Sequence, residues 1–415
     1  MRALQSPAQM EAVLRAALDA GIRHLETAPA YGPAETFLAA ALRALATQDP
    51  HRSRELVLTS KLLPLLPLAE GQAQLRALLT RLAIPRLDNL AVHGLNTLEH
   101  LHWALEGDGR ELLAWAEGEG LVGQLGFSSH GSVDLIEAAL ASGRFRFCSL
   151  HLHLFDPERL PLARMALAEG IGVMAISPAD KGGRLHDPPP DLQADCAPFH
   201  PLELAYRFLL DQGISTLTLG AAQPGDLAWA AALGRDSAGS GGCVPVSPGM
   251  DQGEAGEGAG DRRGVAVIPP AAAVPAGLFP SAEAGTHPGR ARADGPWLHA
   301  SHMAALARLQ EAGRARLGVS RCGQCRQCLP CPREVPIPAL LRLRNLAVGH
   351  GMVPFASERY SLIGRAGHWW EQVDASACER CGDCLPRCPL HLPIPDLLAE
   401  THRLLAAPAR RRLWG

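Results

Sequence analysis

The chain lacks the features that mark membrane-spanning and nucleic-acid-binding proteins. No apolar run reaches the 18 or so residues that a transmembrane helix needs, because the best candidate, residues 62–68, is broken by Pro64 and Pro67. The formal net charge is -3 and no long basic stripe is present, so we expect no nucleic-acid partner. We interpret the arginines at 410–412 as a solvated tail.

The N-terminus also lacks the pattern of a secretory signal, which is a charged segment followed by an apolar core and a small-residue cleavage site. We therefore expect a protein that stays in the reducing cytoplasm. Its 415 residues, 47% of them apolar, leave room for a sizeable core and about two or three globular domains.

Eight of the 11 cysteines fall in two short runs, each closed by Cys-Pro. The first run contains Cys322, Cys325, Cys328 and Cys331, and the second contains Cys378, Cys381, Cys384 and Cys388. Gaps of two, two and three residues with a final proline are typical of bacterial ferredoxins, where the fourth cysteine binds the other cluster. The last gap of the first run is two residues instead of three. The pattern predicts two [4Fe-4S] clusters.

Our preferred assignment crosses the two runs. The first three cysteines of each run would share a cluster with the last cysteine of the other run, so Cys388 joins the first run and Cys331 joins the second. Zinc is the main alternative, although each run offers more thiols than one zinc ion uses. We interpret Cys148, Cys196 and Cys243 as ordinary free thiols.

Strands and helices alternate along the first half of the chain, which predicts a parallel sheet covered by helices. So many units favour a closed TIM-type (β/α) barrel over an open sheet. The predicted strands cover residues 23–27, 56–61, 90–93, 124–128, 145–154, 173–177 and 216–220. Only seven strands are found, and the strand that should precede the first helix is missing. Either the true start lies upstream or the barrel has a gap.

Composition divides the chain into three parts. Residues 1–234 form the predicted barrel, and residues 235–300, rich in Gly, Ala, Pro and Ser, are interpreted as a linker or insertion. Residues 301–415 are predicted to be a mostly helical domain that carries both cysteine runs. Within it, Trp369 and Trp370 are candidates for covering one cluster from water.

Four polar residues lie at or just beyond successive strand ends of the predicted barrel, where such folds place their reacting groups. They are Glu26, Tyr31, Lys61 and His93. A lysine ammonium beside a tyrosine lowers the pKa of the phenol, which lets it pass a proton in either direction. A carboxylate holds the lysine, and a histidine orients a carbonyl oxygen. The set is suited to the reduction of an aldehyde or ketone.

These residues carry a resemblance. Gly21 to Gly32, with Glu26-Thr-Ala and Tyr31-Gly, followed by Lys61 and His93 at later strand ends, resembles the aldo/keto reductase family. With the cysteine runs, the whole chain resembles the subgroup that carries a C-terminal ferredoxin-type domain. The resemblance implies a catalytic tetrad of Glu26, Tyr31, Lys61 and His93, with Tyr31 as general acid and NAD(P)H as hydride donor. Glu26 stands where the family has Asp.

The cofactor pocket implied by the resemblance is matched less well. Ser128 fits an amide-binding position, His151 stands where Gln is expected, and Ile176 stands where an aromatic ring often stacks on the nicotinamide. Phosphate-binding candidates are Gly182, Gly183, Gly220 and Gln223, of which the Gly-Gly pair is as often a simple turn. The nearby Asp226, with no arginine for a 2′-phosphate, gives no support for NADP over NAD. His151 and His153 alternate along the strand and so share one of its faces. They are interpreted either as a pair of metal ligands or as polar lining of the barrel mouth.

The sequence therefore predicts an oxidoreductase that reduces a small carbonyl or oxidises an alcohol, while two [4Fe-4S] clusters relay single electrons to or from a partner protein. A nicotinamide transfers two electrons and a cluster one, so a flavin or radical intermediate is a further candidate, although no flavin motif is present. The alternative is a non-catalytic electron-transfer or scaffold protein with a degenerate barrel.

Overall fold

The structure is a computed structural model that describes residues 4–156, 158–179, 184–231, 233 and 297–406. Residues 4–233, here called the α/β domain, contain one parallel seven-stranded sheet whose strands follow each other in sequence order. Its strands are β1 (His24–Glu26), β2 (Val57–Leu62), β3 (Leu87–His93), β4 (Val122–Ser129), β5 (Phe147–His151), β6 (Gly172–Ile176) and β7 (Thr216–Leu217). The predicted parallel α/β architecture is thus confirmed.

The helices of the α/β domain cover the sheet with an apolar face. They are α1 (Pro7–Asp19), α2 (Ala34–Gln48), α3 (Pro50–Arg54), α4 (Leu68–Leu82), α5 (Leu98–Glu106), α6 (Asp108–Gly118), α7 (Val133–Ala141), α8 (Leu160–Ala168), α9 (Pro190–Cys196) and α10 (Pro201–Asp211). Helix α1 begins as its sequence indicates, with the Ser6 side chain accepting from the backbone N–H of Gln9 at 3.2 Å. It ends before Gly21, whose φ of +79° suits a residue without a side chain.

The sheet does not close on itself within the described residues, because β1 pairs only with β2 and β7 only with β6. A cavity of about 380 Å³ separates the two edge strands. It is lined by Leu25 and Glu26 of β1, by Thr216 and Leu217 of β7, and by Met10 of α1. The seven strands found in the sequence therefore leave an opening where a complete barrel would have a further strand.

Several predicted boundaries differ from the observed ones for local reasons. The strand predicted over residues 145–154 ends at His151, because His153 and Asp156 form an isolated antiparallel bridge beyond it. Beyond β7 the chain forms a 3-10 helix, Pro224–Leu227. Helix α5 was not predicted, although Thr97 caps it by accepting from the N–H of His100 at 3.2 Å. The predicted linker, residues 235–300, lies almost wholly outside the described residues.

Residues 297–406, here called the C-terminal region, are mostly helical outside the two cysteine runs. The helices are α11 (Ala300–Leu317), α12 (Ile337–His350), α13 (Val353–Tyr360) and α14 (Ile394–Leu405). Leu306 and Leu309 of α11 belong to the same buried cluster as the core of the α/β domain, whereas the cysteine loops share a second cluster with α12 and α14. The domain boundary at residue 301 stays a prediction. None of the described helices is both long enough and apolar enough to cross a bilayer.

Three ion pairs fix the C-terminal region against the α/β domain. Arg316 of α11 pairs with Asp195 through two contacts of 2.5 and 2.9 Å. Arg326, between two cysteines of the first run, lies 2.6 Å from Glu158. Arg342 of α12 lies 3.5 Å from the buried carboxylate of Asp156. The first cysteine loop is therefore held directly beside the carboxyl ends of the strands.

His350, the last residue of α12, lies between the two parts of the chain. Its ring is 5.1 Å from that of Phe155, and it packs so closely on Gly313 that a side chain there would come within 2.7 Å of the imidazole. Burial lowers the pKa of His350 to about 4, against the opposing effect of Asp195. The folded protein therefore holds this histidine neutral at pH values where an unfolded chain would protonate it.

This lowered pKa predicts a loss of stability in mild acid. The contribution of neutral His350 to the free energy of unfolding is complete above pH 6.5. It falls as the pH drops towards 4, because only the unfolded chain takes up the proton between these two values. Between pH 7.5 and 5 the free energy of unfolding should fall by about 2 kcal/mol more in the native protein than in His350→Gln. Urea unfolding at both pH values measures the difference. The exposed His102→Gln is the control, and equal pH dependence in native protein and His350→Gln would contradict the prediction.

Candidate active site

The carboxyl ends of β1, β2 and β3 bring three of the predicted catalytic residues together. The parallel register pairs Glu26 with Thr59 and places Lys61 beside Ala91, so Glu26, Lys61 and His93 lie at the same edge of the sheet. Tyr31 follows β1 in a turn in which its N–H donates to the carbonyl of Ala28 at 3.0 Å. All four residues predicted from the sequence therefore meet at one place.

Lys61 is the centre of this group. It is only 2% exposed, and its ammonium nitrogen lies 2.9 Å from the hydroxyl of Tyr31 and 3.2 Å from the carbonyl oxygen of Thr27. Glu26 forms an ion pair with Lys61, and its Oε1 accepts from the Tyr31 hydroxyl at 3.3 Å. The glutamate, one methylene longer than the expected aspartate, therefore still reaches the lysine. The phenol stands between an ammonium and a carboxylate.

His93 closes the group on the other side of Tyr31. The two rings meet edge to face with centroids 5.8 Å apart. The opposite side of His93 is covered by Trp369 of the C-terminal region, at 5.1 Å between ring centroids. The sequence suggested that Trp369 would cover a cluster, but it lies on the α/β domain instead, whereas its neighbour Trp370 packs with the cysteine loops.

The two residues predicted to bind a nicotinamide amide lie at the ends of β4 and β5. Ser128 is buried, and its Oγ accepts from the backbone N–H of Gly94 at 3.0 Å, which ties it to the residue after His93. His151 is also buried, with its ring 5.5 Å from that of His130 and 4.9 Å from that of His153. Both side chains thus lie at the same sheet edge as the tetrad.

The predicted phosphate-binding residues are less clearly arranged. Gly220 and Gln223 follow β7, but the N–H groups of Ala222 and Gln223 donate to the carboxylate of Asp226 at 2.8 and 3.2 Å. These bonds lower the pKa of Asp226, the Ala222 N–H having the largest effect. A carboxylate thus occupies the donors that a phosphate would need. Gly182 and Gly183 lie outside the described residues.

His151, His153 and Asp156 form a compact buried group at the mouth of the sheet. One potential ligand atom from each lies within 4.8 Å of the others, a spacing that a metal ion would accept. However, Arg342 lies 3.5 Å from the Asp156 carboxylate. Burial raises the pKa of Asp156, but the charges of Arg342 and His153 outweigh it and the pKa is lowered overall. Because the guanidinium would oppose a cation, we interpret the group as polar lining.

A family comparison agrees with this geometry. Residues 3–195 match the aldo/keto reductase family. The matched segment includes β1 to β6 and Glu26, Tyr31, Lys61 and His93. Residues 3–195 are therefore similar to an aldo/keto reductase domain, and we use that name for the α/β domain below. The match indicates an oxidoreductase. No curated protein matches the chain significantly.

Solved structures similar to this chain carry the same family name. One is named as an aldo-keto reductase from Pseudomonas aeruginosa. It is 22% identical over 56% of this chain and 84% of that one, with a TM-score of 0.45. Another is an aldo-keto reductase from Bacillus halodurans in its holo form, 17% identical over 56% and 83% of the two chains, with a TM-score of 0.46. A likeness at this level is too weak to transfer a function.

The eight clustered cysteines lie outside the aldo/keto reductase domain and form two loops with the same backbone shape. In each loop the residues directly before and after the second cysteine have positive φ, namely Gln324 (60°) and Arg326 (64°), then Arg380 (59°) and Gly382 (87°). Such left-handed residues are strained unless they are glycine, so the same unusual backbone conformation is maintained in both loops.

The sequence that follows each loop is repeated as well. Cys331-Pro-Arg-Glu-Val-Pro-Ile-Pro leads into α12, and Cys388-Pro-Leu-His-Leu-Pro-Ile-Pro leads into α14. Glu334 and His391 hold equivalent positions with φ of 54° and 49°. This repeat is visible in the sequence as two Pro-Ile-Pro segments, and our sequence analysis missed it. Each cysteine loop and the start of the helix that follows it are therefore repeated.

The sulfur atoms group across the two loops. Burial raises the pKa of Cys322, and the charges of Cys325 and Cys388 act in the same direction. Burial likewise raises the pKa of Cys384, with Cys378, Cys381 and Cys331 adding to it. One small cavity of about 20 Å³ is lined by the same four cysteines, Cys331, Cys378, Cys381 and Cys384. Cys331 thus approaches the first three cysteines of the second run, and Cys388 approaches Cys322 of the first run.

A double-mutant cycle tests the buried pair in the aldo/keto reductase domain. Glu26→Gln should lower the free energy of unfolding by about 3 kcal/mol, because it leaves the buried Lys61 ammonium without its carboxylate. Lys61→Met should also destabilise, but the double variant should lose less than the sum, since no buried charge remains. Urea unfolding of the four proteins measures the coupling. Additive losses would contradict the pairing.

Proposed function

We propose that the chain is a nicotinamide-dependent carbonyl or alcohol oxidoreductase whose C-terminal region holds two [4Fe-4S] clusters that relay single electrons to or from a partner protein. The observation that carries the catalytic part is the Tyr31 hydroxyl, which lies 2.9 Å from the Lys61 ammonium and 3.3 Å from Glu26. This is the arrangement that a reversible proton donor requires.

The proposed roles follow from the geometry. Tyr31 gives its proton to the oxygen of the carbonyl as the carbon is reduced, and the product is the alcohol. The Lys61 ammonium, 2.9 Å away, stabilises the phenolate that remains, because an adjacent positive charge favours the charged form of an acid. Glu26 keeps Lys61 in place. His93, edge to face with Tyr31, orients the carbonyl oxygen. Alcohol oxidation uses the same residues in reverse.

A bound NADH or NADPH would supply the hydride, which carries both electrons of the reduction. Ser128 and His151, buried at the ends of β4 and β5, are the side chains proposed to hold its amide. Gly220 and Gln223 stay proposed phosphate contacts, although Asp226 takes up the adjacent N–H groups. With a carboxylate there, the pocket offers nothing that favours NADP over NAD.

The thiol arrangement supports clusters over zinc. A single tetrahedral zinc ion at 2.3 Å from each sulfur would bring its thiolates to within about 3.8 Å of one another. Among the described residues, the group of three or more potential ligands that lies within 4.8 Å is His151, His153 and Asp156, so no three thiols are that close. A cubane binds its thiolates through four separate iron atoms and so spaces them more widely.

Two clusters together would carry two electrons, one each. Passing the electrons of a hydride to them would require a flavin or radical intermediate that takes up the pair, gives the electrons on singly and releases the proton. The first cysteine loop lies beside the mouth of the aldo/keto reductase domain through the Arg326–Glu158 pair. The small carbonyl or alcohol and the one-electron partner are thus proposed as separate substrates of one chain. A scaffold protein with a degenerate barrel is the competing function, and titration with NADH and NADPH separates the two, because only the enzyme needs to bind either.

Replacing the proposed proton donor tests the catalytic part. Tyr31→Phe should reduce NAD(P)H-dependent carbonyl reduction by about a hundredfold or more, because the ring remains but the transferable proton is lost. Nicotinamide binding, followed by fluorescence titration, should be retained. Tyr360→Phe makes the same change in the C-terminal region and should leave turnover intact. Full turnover by Tyr31→Phe would remove the residue from its proposed role.

Iron content tests both the clusters and their crossed ligand sets. After anaerobic reconstitution we expect about eight irons per chain. Cys322→Ala with Cys388→Ala should leave about four, because both changes affect one cluster, whereas Cys322→Ala with Cys331→Ala should damage both clusters. Cys196→Ala, at a buried thiol outside the runs, is the control and should keep all eight. The opposite result for the two double variants would show that each run binds its own cluster, and zinc in place of iron would refute the clusters.

A further inference from the structure

A tryptophan from the C-terminal region lies over the proposed catalytic residues. Trp369 ends the short 3-10 helix Gly367–Trp369, between the two cysteine runs. Its ring centroid is 5.1 Å from that of His93 and 5.8 Å from that of His130, both of the aldo/keto reductase domain. His93 is 6% exposed, with Tyr31 on one side and Trp369 on the other. Access to His93 from this side therefore passes Trp369.

The close approach depends on Gly94, the residue after His93. A side chain at position 94 would place its first carbon 2.3 Å from the Trp369 ring, well inside van der Waals contact. Gly94 also has a φ of +78°, which other residues rarely adopt. The backbone beside His93 is thus shaped to receive the indole ring.

The turn that carries Trp369 is attached to the aldo/keto reductase domain by specific contacts. The amide nitrogen of Asn96 donates to the carbonyl oxygen of His368 at 3.2 Å, and the amide oxygen of Asn96 accepts from the N–H of His130 at 2.7 Å. The ring of His368 meets that of His100 at 5.1 Å. These contacts hold the indole at a defined position and do not leave it on a free loop.

A cavity of about 300 Å³ lies beyond Trp369, between the two parts of the chain. Its lining combines Trp369 and Trp370 with His130 and His151 from the strand ends and with Gln324 from the first cysteine loop. Trp369 borders this cavity on one face and His93 on another. A substrate that enters from the cavity therefore meets the indole before it meets the catalytic residues.

We propose that Trp369 is a specificity-determining residue that limits the bulk of the carbonyl substrate at Tyr31 and His93. The inference rests on the proposed function, since it concerns the same site. It assigns the native enzyme to small, unbranched aldehydes and ketones, because a bulky group next to the carbonyl would collide with the indole ring. The C-terminal region thereby shapes the substrate site of the aldo/keto reductase domain.

The first experiment compares substrates of different bulk. In Trp369→Ala the ratio of kcat/KM for an aldehyde branched next to the carbonyl to that for a linear aldehyde should rise by about tenfold or more. Trp369→Phe should give an intermediate ratio, and it serves as the test if the alanine variant does not fold. The matched control is Trp115→Ala, which removes a ring of α6 that packs under Arg76. This variant should leave the ratio unchanged. An unchanged ratio in both Trp369 variants would overturn the proposal.

A second readout does not depend on turnover. Diethyl pyrocarbonate modifies accessible histidines, and the rate at His93 can be followed by peptide mass spectrometry. Removal of the indole in Trp369→Ala should raise that rate several-fold, with no change in Trp115→Ala. An unchanged rate of modification at His93 would show that Trp369 does not cover His93 and would refute the inference. If the native protein reduces no carbonyl, the proposed function fails, while the labelling still reports whether the indole covers the site.

Discussion

A lysine ammonium buried at the end of β2 is the constraint around which the site is arranged. A charge that is 2% exposed must be compensated, since an unpaired buried charge costs several kcal/mol. Lys61 meets this requirement with Glu26, the Tyr31 hydroxyl and the carbonyl oxygen of Thr27. The groups that stabilise the buried ammonium are the same groups that surround the Tyr31 hydroxyl. Stability and the proposed proton transfer would therefore depend on one set of contacts.

The parallel sheet makes that arrangement possible. Neighbouring parallel strands end at the same edge, so residues far apart in sequence, such as Glu26, Lys61 and His93, converge without any contribution from their loops. The opening between β1 and β7 lies beside this edge and does not disturb the pairing of β1 with β2 and of β2 with β3. The tetrad is built on the intact part of the sheet.

The C-terminal region is more than an attached module. Arg316, Arg326 and Arg342 pair with acidic residues of the α/β domain, and α11 contributes apolar side chains to its core cluster. Through Trp369 the same region contacts His93 of the proposed catalytic group. The first cysteine loop lies on this shared interface through Arg326.

The sequence by itself determined the parts that depend on local pattern. Alternating strand and helix periods predicted a seven-stranded parallel sheet, and the order of Glu26, Tyr31, Lys61 and His93 along it predicted which side chains would meet. Helices begun by a side-chain cap or ended at glycine, such as α1, were also readable, because capping involves residues within one turn. The spacing of the cysteines favoured clusters over zinc.

Only the tertiary structure decided what lies across the mouth of the sheet. Trp369 is 276 positions beyond His93 in the sequence, and the Arg342–Asp156 pair likewise joins distant segments. No periodicity connects such residues, because their contact depends on how the C-terminal region packs on the strand ends. For the same reason the sequence suggested a cluster as the partner of Trp369, whereas packing places the indole beside His93.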